Sequence, residues 1–175
     1  MKSIEVTLKG VSPLLMHRFP MEAQDGVSKM APADQAELSA YRDPETKGLY
    51  IPGVNIQRCI VNGAKYVKGK GRATLSKTAA ACVFVTPGQC DLGTKHFELD
   101  ARPVVMPATK GRVIRYRPRL DQWQIAFTLD YEETMMSAKE IRASVDAAGA
   151  RVGLLDFRPE KGGPFGRFMV TIWKD

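Results

Sequence analysis

The chain has 175 residues, 44% of them hydrophobic, and 26 Lys plus Arg against 19 Asp plus Glu, for a net charge of +7. That length suits one elaborated domain over 1–175, and the positive balance favours an acidic partner such as nucleic acid. The opening MKSIEVTLKG is charged and no apolar run is long enough for a signal peptide or a membrane span, which predicts a cytoplasmic protein with no membrane partner.

Residues 3–9, SIEVTLK, alternate Ile4, Val6 and Leu8 with Glu5, Thr7 and Lys9, the period of a half-buried strand. From Gly10 to Gly48 the pattern is lost, so this stretch is expected to be a partly mobile insertion with one short helix near Asp34–Tyr41. Ile56, Cys59, Ile60, Gly63, Ala64 and Val67 then recur at helical spacing and predict an amphipathic helix over 54–68. AACVFV (80–85) reads as a strand. RPVVM (102–106) and RVIRYR (112–117) flank PATKG and read as a hairpin inside a second insertion, about 87–122. WQIAFTLDY (123–131) is a strand with Trp123, Ile125, Phe127, Leu129 and Tyr131 on one face. Ser137 and Glu140 form a capping box for a helix reaching about Ala148. FMVTIW (168–173) is the last strand.

Without its insertions the order is strand, helix, strand, strand, helix, strand. This predicts an α+β, ferredoxin-like (RRM-like) fold, an antiparallel sheet with two helices on one face and the other face free for a ligand.

The basic residues fall in blocks. Lys65, Lys68, Lys70, Arg72 and Lys77 have no acid between them, nor do Arg102, Lys110, Arg112, Arg115, Arg117 and Arg119. Alternation puts Arg115, Arg117 and Arg119 on one side of a strand, with Tyr116 on the other. Three guanidiniums on one face repel, and a polyanion would neutralise them, because arginine forks match phosphate oxygens. The late segment GLLDFRPEKGGPFGRF adds Arg158, Gly162, Gly163, Phe165 and Arg167. Its glycines would bring backbone N–H groups close to phosphates. Tyr116, Phe157, Phe165 and Phe168 are the candidates for stacking on bases.

Three stretches together resemble a known family. Ser12-Pro13-Leu14 after the first strand, Ile51-Pro52-Gly53 with Ile56 at a helix entry, and Gly162-Gly163-Pro164-Phe165-Gly166-Arg167 before the last strand are similar to the repeat-associated RNA-binding superfamily of CRISPR effector complexes. The late loop departs from the usual pattern in beginning Gly153-Leu154-Leu155 instead of Gly-x-Gly. The resemblance implies a ferredoxin-like core, a single-stranded RNA partner, and assembly in several copies or within a nucleoprotein complex, with an inserted hairpin pressing between bases. Some members are metal-independent endoribonucleases that use a histidine, for which His17 is the candidate here.

Cys59, Cys82 and Cys90 show neither a CxxC pair nor a histidine at zinc-ligand spacing, so no disulfide framework, metal or cofactor is expected. Asp130, Glu132 and Glu133 read as a solvated strand end, not a two-metal site. The expected function is therefore binding of single-stranded RNA or DNA. RNA cleavage through His17 and a subunit that meets another protein are the alternatives.

Overall fold

The computed structural model describes residues 1–21 and 26–175; residues 22–25 of the expected first insertion lie outside the described residues. In chain order the elements are β1 (Lys2–Gly10), β2 (Leu14–Leu15), α1 (Pro32–Leu38), β3 (Tyr50–Pro52), α2 (Gly53–Gly63), α3 (Ser76–Cys82), β4 (Val83–Thr86), β5 (Gln89–Asp91), β6 (Glu98–Val105), β7 (Arg112–Leu120), β8 (Gln124–Tyr131), α4 (Ala138–Ala147) and β9 (Phe168–Lys174). Short 3₁₀ turns cover Val27–Lys29, Ala64–Tyr66 and Pro159–Lys161, and a π-helical turn, Ala148–Val152, continues α4.

The main sheet is antiparallel throughout, in the order β4-β8-β1-β9. Its register sets Ile4 opposite Leu129, Val6 opposite Phe127 and Leu8 opposite Ile125, so one face is continuously apolar. Against that face pack Ile56, Cys59 and Ile60 of α2 with Ile141, Val145 and Ala148 of α4 and its continuation, in one buried cluster. Burying such side chains stabilises the fold by about 1.5–3 kcal/mol each. The opposite face holds Glu5, Thr7, Phe84, Ala126, Thr128, Asp130 and Ile172, and it leaves the large apolar Phe84 and Ile172 exposed. The capping box forms as the sequence predicts: Ser137 Oγ accepts from the Glu140 backbone N–H, and the Glu140 carboxylate accepts from the Ser137 backbone N–H.

The hairpin of β6 and β7 is longer than expected and extends, with β2, into a second sheet in the order β2-β7-β6. A β3-β5 ladder makes a third. The described residues thus hold four α-helices where the sequence pattern suggested three, α3 being the one not expected. The strand expected over 80–85 is corrected in part. Ala80–Cys82 close helix α3, and the strand starts only at Val83, because the Ser-Lys-Thr-Ala-Ala-Ala run is rich in a strong helix former. The 10–48 segment is also more structured than an unpatterned insertion, holding β2 and α1 with Leu14, Leu15, Met16 and Ala36 fully buried. Among the described residues, no helix is long and apolar enough to cross a membrane.

Candidate nucleic-acid interface

Two of the stretches that carry the family resemblance meet directly, and the third meets the late loop through the helix it opens. The late loop closes on the segment after β1: Gly166 donates its N–H to Pro13 O at 2.8 Å, Asp156 to Leu15 O at 3.0 Å, and Val11 donates to Arg167 O at 2.9 Å. Ser12 Oγ accepts from the Arg167 N–H at 2.9 Å. Trp123 Nε1 donates to Ser12 O at 2.8 Å and fixes the same segment from the other side. The loop also reaches α2, where the Cys59 thiol donates to Gly153 O at 3.2 Å.

Between them lies a largely polar cleft of about 230 Å³, lined by His17, Tyr41, Asn55, Arg58, Asn62, Asp156 and Arg158 together with Cys59, Val152, Gly153 and Leu155. Asn55, Arg58 and Asn62 stand at i, i+3 and i+7 and therefore share one face of α2. Sequence reading followed the apolar face of this helix and missed them. The signal available was a polar stripe that included two asparagines, residues with modest helix propensity, inside a helix. Among the described residues, the side chains of Tyr41, Asn55, Arg58 and Asn62 have no hydrogen-bond partner within the protein.

The hairpin joins the cleft through its arginines. Arg117 pairs with Asp156 through Nη1 and Oδ2, and His17 Nδ1 lies 3.9 Å from the same oxygen. Arg102 stacks on the loop, its guanidinium carbon 4.7 Å from the Phe165 ring centroid and 5.7 Å from that of Phe157. Burial lowers the His17 pKa below its usual 6.5; Arg117 and Arg115 add to this, while Asp156 opposes it. Imidazole is thus the neutral form at pH 7. Because the unfolded chain takes up this proton first, His17 makes the fold lose stability as pH falls below 6.5. The His17 titration followed by NMR should have its midpoint below 6.5, and Asp156→Asn should lower it further by removing the one opposing charge. A midpoint at or above 6.5 would contradict this electrostatic picture.

Carboxylates from elsewhere in the chain meet three of the hairpin arginines. Arg102 binds Asp100 at 2.6 Å, Arg119 binds Asp121 at 2.8 Å with Asp100 at 3.7 Å, and Arg117 holds Asp156. These carboxylates lie outside the acid-free interval and fold back onto it. Among the described residues, Arg112 and Arg115 form no ion pair with a carboxylate, and the Arg115 guanidinium donates to Met106 Sδ at 3.9 Å. Arg158 pairs with Glu160 at 2.8 Å, and Arg167 is exposed beside the loop end. Gly162 and Gly166 adopt left-handed backbone, with φ of 76° and 73°.

Of the stacking candidates, Phe165 and Phe168 are buried, 4% and 5% exposed. Phe165 anchors the loop beneath Arg102, and Phe168 packs edge-on against Trp123 at 6.4 Å between centroids. Tyr116 is partly exposed beside Phe19, Met21 and Ile114. Phe157 is 37% exposed. Lys65, Lys68, Lys70 and Arg72 follow the C-terminal end of α2, where Arg151 stacks on Tyr66 at 4.9 Å. Among the described residues, no hydrogen bond, ion pair or ring contact joins those four to the hairpin or the late loop. His96 lies apart, beside Phe97 and Arg119. Cys59 and Cys90 are buried thiols, and burial pushes Cys90 up to about 11.

No family model matches the chain, and no curated protein matches it. Among solved structures it is similar to a chain of "Cryo-EM structure of the Type III-B Cmr-beta bound to cognate target RNA", with a TM-score of 0.62 and 13% identity. The match covers 98% of this chain and 59% of that one, so this chain spans about three fifths of its structural neighbour's length. At that identity the likeness is one of fold.

Proposed function

We propose that the protein binds single-stranded nucleic acid, RNA in preference to DNA, as a subunit of a nucleoprotein assembly or in several copies along a strand. The observation that carries this is the meeting of the Ser-Pro-Leu segment, the α2 entry helix and the glycine-rich loop around one polar cleft, with the arginine hairpin attached. The β4-β8-β1-β9 order is that of a split β-α-β arrangement, and this supports a ferredoxin-like core. The solved structure of similar fold comes from an RNA-bound Cmr-beta complex, which supports the same reading.

On this reading the strand runs along the cleft side of the molecule and not over the uncovered sheet face. That face sets Glu5 and Asp130 against Lys9 and Lys174 and presents little net charge. Arg58, Arg112, Arg115 and Arg167 contact phosphates, Lys65, Lys68, Lys70 and Arg72 prolong the track past α2, and Tyr116 and Phe157 stack on bases. Arg117, Arg119 and Arg158, already paired, hold the hairpin and loop in place.

A second reading draws on the same cleft: metal-independent RNA cleavage, with neutral His17 taking the proton of a ribose 2′-hydroxyl. Incubating the protein with labelled single-stranded RNA in EDTA separates the two. Intact RNA that shifts in a gel is the expected result. Cleavage that disappears in His17→Ala would make the protein an enzyme, and RNA left both intact and unshifted would contradict both readings.

A further inference from the structure

We propose that the cleft between α2 and the late loop is a base-reading subsite, which accepts one nucleobase bearing an exocyclic amino group and disfavours uracil. The inference rests on the strand-binding reading above and adds sequence preference to it.

Size comes first. About 230 Å³ is below the ~300–1,000 Å³ typical of pockets for drug-sized ligands, so the cleft takes one unit of a polymer and no more. Its inner chemistry is unsuited to a phosphate. Asp156 presents a carboxylate there, the lining Arg158 is already paired with Glu160 and Arg117 with Asp156, and His17 is held neutral by burial and by Arg117. A phosphate pushed inward would meet like charge, whereas Arg58, exposed on α2, offers it a cation at the rim.

The polar groups that remain match the edge of a base. Arg117 occupies Asp156 Oδ2, and among the described residues Asp156 Oδ1 has no partner. That oxygen only accepts, as a carboxylate does when it takes the N4 amino group of cytosine. Asn55 and Asn62, about 10 Å apart along α2 by helical rise, bring amide groups that donate as well as accept. They are half-buried and unused within the protein. An amino-bearing base therefore finds an acceptor facing its amine. Uracil would set its O4 carbonyl against the Asp156 oxygen, two acceptors with no proton between them. Unpaired polar groups in a confined site are what make such discrimination large.

Cytosine and uracil have the same ring size and differ at C4 and N3, so they isolate this interaction. Fluorescence anisotropy with labelled oligo(C) and oligo(U) RNA of equal length, at neutral pH, should give tighter binding of oligo(C) by at least about fivefold, the lower end for one well-placed base contact. Asp156→Asn keeps the shape and the bond to Arg117 while making the group able to donate. It should bring the two ligands within about twofold without weakening oligo(U). Asn62→Ala, which suits a helix surface, should lower oligo(C) affinity by removing part of the cleft wall. Equal binding of both oligonucleotides by the unmodified chain, or a preference that survives Asp156→Asn, would overturn the base-reading subsite and leave strand binding standing. If neither oligonucleotide binds, the strand-binding reading falls with it.

Discussion

Gly166→Ala should destabilise the protein by about 3 kcal/mol and abolish strand binding, while Gly162→Ala, four residues earlier, should do much less. Both glycines sit at left-handed φ, where a side chain costs about 1–2 kcal/mol. Their surroundings differ. A Cβ on Gly162 meets nothing within 4 Å, whereas one on Gly166 would collide with the carbonyl oxygen of Leu154 and lie 2.8 Å from its nitrogen. That collision cannot be relieved by a rotamer change, because both atoms belong to backbone that is hydrogen-bonded to Gly166 itself. Overpacking of this kind adds about 1–3 kcal/mol. For a chain of this size, 3 kcal/mol lowers Tm by roughly 6–12 °C. Differential scanning fluorimetry and RNA anisotropy on the two variants check this. Equal Tm shifts, or full RNA affinity in Gly166→Ala, would show that the clasp between the loop and Pro13 does not shape the site.

The second large effect is electrostatic. Reversing Arg112 and Arg115 together should weaken single-stranded RNA binding by more than about tenfold and flatten the dependence of log K on log salt by roughly 1.4, about 0.7 for each single-strand phosphate that is no longer neutralised. No carboxylate of the described chain neutralises these two, unlike Arg102, Arg117 and Arg119. The matched control reverses Lys9 and Lys174 on the uncovered sheet face, where Lys174 meets Glu5 at 3.7 Å. Affinity should then change little. A control that weakens binding as much as the hairpin pair would mean that general attraction to a basic protein, and not a track, accounts for binding.

Much of the fold could be read locally. Strict alternation in SIEVTLK and WQIAFTLDY identified β1 and β8, helical spacing of Ile56, Cys59 and Ile60 identified α2, and Ser137 with Glu140 identified the start of α4. What escaped was whatever depended on partners distant in the chain. The β3-β5 ladder pairs two three-residue segments, too short to show a period. Ala80–Cys82 looked like the beginning of an apolar strand, since a short apolar run does not reveal whether it is helical or extended.

The site divides in the same way. The glycine loop and the hairpin stood out by composition, but their charge balance did not. Asp156, nearly forty residues beyond Arg117, becomes its partner only when the loop folds back over β7. Phe165, which looked like a stacking ring in a loop, is buried because Arg102 and the loop backbone close over it. The asparagines of α2 were overlooked because neutral polar residues on a helix ordinarily face water. Only the position of the loop opposite them turns that stripe into a wall.

Nucleic acid should lie on the cleft, loop and hairpin side of the molecule, and every other functional expectation depends on that placement. Photo-crosslinking of the full chain to single-stranded RNA, followed by mass spectrometric assignment of the modified peptides, tests it most directly. Crosslinks should fall on Tyr41, Tyr116, Phe157 and the residues beside them. Crosslinks concentrated on Phe84, Met169 and Ile172 of the uncovered sheet face, with the cleft unmodified, would contradict it.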